Sequence, residues 1–121
     1  VQLDLMGQEN AESTGTRQLS GVGGQMDFLE GAYRSKGGKG FICINSSRVT
    51  KDGERKSNIL ATIPGGSTIS APRTMIQYVA TEYGIASLSG KTLRERAEAM
   101  ASIAHPDFRE ELMKYAQENF K

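Results

Sequence analysis

Met75-Ile76-Gln77-Tyr78-Val79-Ala80-Thr81-Glu82-Tyr83-Gly84, followed shortly by Ser89-Gly90-Lys91-Thr92-Leu93-Arg94-Glu95-Arg96-Ala97, is the stretch whose reading decides the fold. Met75 to Thr81 is rich in β-prone residues and stops at a glycine turn, as a strand does. After Gly90 the period changes. Leu93, Ala97, Met100, Ala101 and Ala104 recur at helical spacing, with Arg94, Glu95, Arg96 and Glu98 assigned to the outside. Thr92 followed three residues later by Glu95 is a capping box, so Gly90 is a turn and Thr92 the helix N-cap. His105-Pro106 interrupts, with Pro106 suited to a first helical position, and Phe108, Leu112, Met113 and Tyr115 continue a final helix. A strand thus leads into a C-terminal helical hairpin.

Upstream, strands and helices alternate without an internal repeat. Val1, Leu3 and Leu5 alternate with polar residues, which predicts a short strand over Val1 to Met6. Residues 7–24 hold five glycines and few apolar residues, and read as one long loop of the kind that is usually functional. Met26 to Arg34 predicts a short helix with Phe28, Leu29 and Ala32 on one side, stopped by Ser35-Lys36-Gly37-Gly38. Phe41-Ile42-Cys43-Ile44 reads as a buried strand. Lys51-Asp52-Gly53-Glu54 is a turn, with Asn58 to Ile63 as the returning strand before Pro64-Gly65-Gly66, and Ile69 marks a further β-prone position. The residues alone therefore point to an α/β or α+β class.

Composition excludes several alternatives. The chain has 121 residues, enough for one modest core. Setting aside the 4 Tyr and including the 14 Gly brings the 37% hydrophobic share to roughly 45%, ordinary for a globular protein. No apolar run approaches the ~20 residues of a membrane span. One Cys excludes an internal disulfide and, with one His, a Cys/His zinc site. No signal peptide is expected, and a start at Val1 rather than Met reads as a boundary rather than a native terminus. The net charge of +1 is uneven: residues 34–56 carry seven Lys and Arg against Asp52 and Glu54, while residues 1–33 carry five acids against Arg17. The basic stretch suits a phosphate-bearing ligand or, equally simply, a solvated hairpin.

Four places could carry chemistry. Gly21-Val22-Gly23-Gly24-Gln25-Met26-Asp27 is no dinucleotide fingerprint, since Met26 holds the sixth position where that pattern needs glycine. Glycines opening a helix do present free backbone N–H groups to a phosphate or oxyanion; a plain tight loop is the other reading. Ser89-Gly90-Lys91-Thr92 mimics a P-loop, but the required first glycine falls on Ile85, and the one-residue slip to Gly84 breaks the phosphate cradle. Glu82 ends a strand just before a glycine turn, where open α/β sheets place ligands; alternatively it pairs with a backbone amide or with an Arg such as Arg73. Cys43 in an apolar run reads as inert core and His105 before a proline as structural, so no Ser/His/Asp or Cys/His relay assembles.

Taken in order, Gly7-Gln8-Glu9-Asn10-Ala11-Glu12-Ser13, Gly21-Val22-Gly23-Gly24-Gln25-Met26-Asp27-Phe28, Thr81-Glu82-Tyr83-Gly84, Arg94-Glu95-Arg96-Ala97 and Ala104-His105-Pro106-Asp107-Phe108-Arg109 form a series over nearly the whole chain. It resembles the C-terminal part of the acetyl-CoA hydrolase/transferase family, and within it the 4-hydroxybutyrate or butyrate CoA-transferase branch. The resemblance implies an α/β fold, a portion of an open sheet with flanking helices, and residues 1–121 as a single domain or fragment of a protein more than three times as long.

It also implies an activity. CoA would move between an acyl-CoA and a carboxylate such as acetate through an acyl anhydride and a glutamyl-CoA thioester, a case of covalent catalysis supported by oxyanion donors. The nucleophilic Glu of that family lies in a segment before the part that matches here, and Glu82 does not replace it. Gly24 matches the glycine whose backbone faces the thioester, with Gly23 alongside. Glu82 matches a carboxylate near the reacting acyl group that positions rather than attacks. Lys51 matches a lysine that meets CoA, in a loop from Asn45 to Lys56 that varies in length, and Cys43-Ile44-Asn45-Ser46-Ser47 departs from the usual small Ser/Thr pattern. The implied enzyme is cytoplasmic and homo-oligomeric as a full-length protein, with CoA and small carboxylates as partners, CoA thioester as substrate, and no permanently bound cofactor or metal. An acyl-CoA hydrolase of the same family and a non-catalytic phosphate-binding module are the alternatives. Against nucleic acid, residues 34–56 offer only Phe41 for base stacking.

Overall fold

The computed structural model describes all 121 residues. In chain order the elements are β1 (Gln2–Asp4), β2 (Glu9–Asn10), β3 (Ser13–Thr14), β4 (Arg17–Gln18), α1 (Gln25–Arg34), β5 (Phe41–Cys43), β6 (Ser47–Val49), β7 (Arg55–Ser57), β8 (Ile59–Leu60), β9 (Tyr78–Thr81), β10 (Gly84–Ser87), α2 (Leu93–Ser102) and α3 (Pro106–Asn119). The fold is mixed α/β. Its strands form two small sheets of three, ordered β2-β1-β8 and β10-β9-β5, and two separate hairpins, β3-β4 and β6-β7. Each three-stranded sheet mixes one antiparallel pair with one parallel pair, β1 with β8 and β5 with β9.

One core joins both sheets to the helices. Leu3, Leu5 and Ile59 share one cluster with Ile42, Val79 and Leu88, and α2, the turn after it and α3 add Ala97, Met100, Ala101, Ala104, Leu112 and Ala116. The capping box forms: the Glu95 N–H donates to Thr92 Oγ1 at 3.2 Å while Glu95 Oε2 accepts from the Thr92 N–H at 2.8 Å. Pro106 stands in the first turn of α3, where His105 Nδ1 accepts from the Asp107 N–H at 3.1 Å.

Several elements differ from the sequence reading. The returning strand of the Asp-Gly turn is Arg55–Ser57, paired with Ser47–Val49, whereas Ile59–Leu60 leaves that hairpin to lie parallel to β1 in another sheet. Ser57 Oγ accepts from the Ile59 N–H and donates to the Ile59 carbonyl, a local turn that redirects the chain. The long loop of residues 7–24 is interrupted by β2 and the β3-β4 hairpin, because Asn10 Oδ1 gathers the Glu12 and Ser13 N–H groups and bends the chain. Ile69 lies outside any strand. Phe28 is 82% exposed while Leu29 is buried, since consecutive helical positions sit about 100° apart. In β5 only Ile42 is buried; Cys43 is exposed rather than core.

Arg96 is the largest correction. Assigned to the outside of α2, it is buried, and its guanidinium donates to three carbonyls: Nε to Met6 at 2.9 Å, Nη1 to Leu88 at 2.9 Å and Nη2 to Arg73 at 2.8 Å. It ties the turn after β1 to the end of β10 and to the segment before β9. Gly7 makes room for it: at φ +84° a Cβ would lie 2.8 Å from Arg96 Nη2 and 2.7 Å from Leu88 Cδ1.

Candidate functional site

The parallel pairing of β5 with β9 sets Cys43 beside Ala80, so both strands end on the same side. Leu29 and Ala32 of α1 sit against Gly40 at the start of β5, within 3.5 Å of where a Gly40 Cβ would stand. Helix α1 therefore runs back along β5, with its N-terminus toward the C-terminal ends of the parallel strands. That is the end at which open α/β sheets hold ligands.

Gly23 and Gly24 open the helix there. Gly23 has φ +63°, a left-handed conformation that favours glycine, and Gly24 is the N-cap at φ −93°. No side chain caps the helix, so the first-turn N–H groups are free for an anion or developing oxyanion. A Cβ on Gly24 would meet only Phe28 Cε2, at 3.9 Å. Neither conformation nor packing within the chain requires glycine at position 24.

Glu82 stands just beyond β9, at the same end. It is exposed, and its Oε1 accepts from the Ser46 backbone N–H at 2.7 Å. That hydrogen bond holds its carboxyl below the usual carboxylate range, and nearby His105 acts in the same direction. Of the two structural alternatives, a backbone amide is the partner; Arg73 forms no ion pair with Glu82. Tyr83, the next residue, stacks edge-on against His105 with ring centroids 5.8 Å apart, and the Arg109 guanidinium lies 5.3 Å from its ring centre.

Along α1 and β5 lies a cleft of about 580 Å³, whose lining includes Phe28, Leu29, Phe41, Ile42 and Ile44 together with Gln25 and Lys39. Glu9, only 1% exposed, lies on it, and Glu9 Oε2 accepts from Gln25 Nε2 at 2.5 Å. Burial pushes the Glu9 carboxyl up, against the opposing effect of the Gln25 hydrogen bond. Cys43 and Ile44 line both this cleft and a hollow of about 330 Å³ beside Ala80 and Thr81. Two residues further on, Ser46 meets Glu82. The end of β5 thus runs from the N-terminus of α1 to Glu82.

Lys51 is not part of this arrangement. It occupies the exposed tip of the β6-β7 hairpin, in the turn closed by the Gly53 N–H donating to the Thr50 carbonyl at 2.9 Å. The strands of that hairpin flank a separate groove of about 580 Å³ against α3. Glu9, Gln25 and Ser46 escaped the sequence reading as site residues. Glu9 lies in the segment read as loop, where nothing marks a single carboxylate, and Ser46 joins Glu82 only through tertiary pairing. No three His, Cys, Asp or Glu side chains gather as metal ligands, and no helix is long and apolar enough to cross a membrane.

Residues 1–116 match the acetyl-CoA hydrolase/transferase C-terminal domain. The chain is 49% identical over 117 residues to the butyryl-CoA:acetate CoA-transferase of Anaerostipes caccae, a match that covers 97% of this chain and 26% of that protein. It is 50% identical over 120 residues to the 4-hydroxybutyrate coenzyme A transferase of Clostridium kluyveri, covering 99% of this chain and 27% of that one. Among solved structures, RipA from Yersinia pestis superposes with a TM-score of 0.82 at 40% identity, over 97% of this chain and 26% of RipA. The chain spans about a quarter of the length of these relatives. From the ordered motifs, the mixed α/β fold and this match over nearly its whole length, the chain belongs to the acetyl-CoA hydrolase/transferase C-terminal domain family.

Proposed function

We propose that the chain is the C-terminal part of a CoA-transferase that moves CoA between an acyl-CoA, butyryl- or 4-hydroxybutyryl-CoA, and a carboxylate such as acetate. A glutamate outside these residues attacks the thioester carbonyl and expels CoA thiolate, leaving an acyl-glutamyl anhydride. The thiolate then attacks the glutamyl carbonyl, giving glutamyl-CoA and the free acid, and a second acid reverses both steps. Gly24, with Gly23 beside it, offers its backbone and the free first-turn N–H groups to the thioester oxygen as negative charge develops there. Glu82 orients the reacting groups without forming a bond to them. Lys51, on its exposed hairpin, meets the phosphates of CoA at a distance from the acyl site. The complete protein is a cytoplasmic homo-oligomer with no permanently bound cofactor, metal, nucleic acid or membrane partner.

The observation that carries this reading is the placement of the Glu82 carboxyl and an uncapped helix N-terminus at one end of the β5-β9 pair. The identity of about half to two CoA-transferases supports the reaction class. The test is to incubate the complete protein, and separately residues 1–121 alone, with butyryl-CoA and isotopically labelled acetate. Labelled acetyl-CoA formed by the complete protein and not by residues 1–121 is the expected result. Loss of one group from a covalent relay costs several orders of magnitude in rate. Release of free CoA in place of acetyl-CoA would assign a hydrolase, and no turnover with any acyl-CoA would leave a phosphate-binding module.

A further inference from the structure

The cleft beside α1 holds a feature that the transfer reaction leaves unused. Its lining residues Phe28, Leu29, Phe41, Ile42 and Ile44 suit an aliphatic chain. Among them stands one buried carboxylate, Glu9, anchored through a single oxygen: Oε2 accepts from Gln25 Nε2 at 2.5 Å, and Oε1 accepts no hydrogen bond. Gln25 immediately follows Gly24, so an acyl chain whose thioester lies at Gly24 enters the cleft past the Glu9–Gln25 pair. Gln25 and Lys39 also line the cleft, but no hydrogen bond reaches Oε1, so Glu9 presents an open acceptor to it, and a hydroxyl on the acyl chain supplies a donor.

Resting on the transferase reading, we propose that Glu9 is a specificity-determining residue that selects acyl groups carrying a hydroxyl toward the end of the chain, accepting that hydroxyl at Oε1. A plain aliphatic chain covers Oε1 without pairing it. Gln25 positions Glu9 and does not touch the chain.

The experiment measures kcat/KM of the complete protein for 4-hydroxybutyryl-CoA and butyryl-CoA, each with acetate as acceptor, in the wild type, Glu9→Val and Glu9→Gln. The wild type favours the hydroxyacyl substrate. Glu9→Val lowers the ratio of the two values by roughly tenfold to a hundredfold, the size of a hydrogen bond to a charged group, and Glu9→Gln, which keeps an acceptor oxygen, lowers it less. A ratio within about twofold of wild type in a folded Glu9→Val overturns the proposal. Should Glu9→Val fail to fold, an unchanged ratio in Glu9→Gln overturns it and a severalfold fall supports it. Calorimetric binding of free 4-hydroxybutyrate and butyrate separates this inference from the transfer reaction. Tighter binding of the hydroxy acid that depends on Glu9 upholds it even without CoA transfer, and equal binding of the two acids rejects it.

Discussion

Paired substitutions at Gly23 and Gly24 separate what the backbone needs from what a ligand needs. Gly23 has φ +63° with nothing within 4 Å of the position of a Cβ, so Gly23→Ala meets only the conformational penalty. A left-handed L-residue costs about 1–2 kcal/mol, and the lower entropy of the unfolded alanine chain returns about 0.4–1. The net loss is about 1 kcal/mol, or roughly 1 °C in melting temperature for a protein of the relatives' length, about four times this chain. Gly24→Val behaves differently. With φ −93° and only the rim of the exposed Phe28 ring at 3.9 Å, the side chain fits, and the cost at an N-cap is about 1 kcal/mol at most. Turnover is where Gly24→Val should fail, by roughly a hundredfold or more, because in the proposed reaction the side chain would displace the thioester from the free N–H groups of the first turn. Differential scanning calorimetry and steady-state transfer of CoA to acetate, on the same preparations of the complete protein, give both readouts. A Gly24→Val enzyme with turnover within a factor of two of wild type would reduce the glycine to a turn. A Gly23→Ala protein melting at the wild-type temperature would refute the strain argument.

Three further outcomes follow from the geometry. Arg96→Met keeps the stem but strips three carbonyls of their donor, and urea denaturation should show a loss of about 3 kcal/mol or more; a loss under about 1 kcal/mol would mean that the guanidinium clamp is incidental. Glu82→Gln should lower turnover roughly tenfold or more while the melting temperature stays within about 2 °C, since the carboxylate is exposed; a large melting shift with activity per folded molecule intact would remove Glu82 from the site. Burial raises the Glu9 carboxyl, so its contribution to stability is fully present below the ordinary carboxylate range and is lost as pH rises through the shifted value. Glu9→Gln, which cannot ionise, should therefore melt higher than wild type at neutral pH, with the gain shrinking as pH falls into the carboxylate range; a gain independent of pH would contradict burial as the cause.

The C-terminal half was readable because local chemistry determines it. Thr92 and Glu95 complete their box within one turn, Pro106 needs only its own ring geometry, and Ala97, Met100 and Ala101 share the buried face of α2, although Leu93 at its start is exposed and Ala104 lies in the turn after it. Arg96 was misplaced for the opposite reason. Its partners Met6 and Arg73 lie far along the chain, and no helical period announces that a guanidinium will meet three carbonyls. The β6-β7 hairpin shows the limit in a strand. Apolar content drew the return strand to Asn58–Ile63, whereas the pairing follows the turn and falls on the polar Arg55–Ser57. At the site, glycine chemistry marks only the run from Gly21 to Gly24 and strand-end position marks Glu82; the choice of Gly23 and Gly24 within the run comes from the family resemblance. Ser46 and the Glu9–Gln25 pair, which tie Glu82 and the helix start to the sheet, depend on contacts between distant segments.

The central claim is that these residues position the thioester while a glutamate elsewhere carries the covalent step. The most direct measurement is to incubate the complete protein with butyryl-CoA, trap the glutamyl thioester by borohydride reduction, and map the modified residue by peptide mass spectrometry. A single reduced glutamate outside residues 1–121, with Glu82 and Glu9 unmodified, is the expected result. Modification of Glu82 or Glu9 would contradict it.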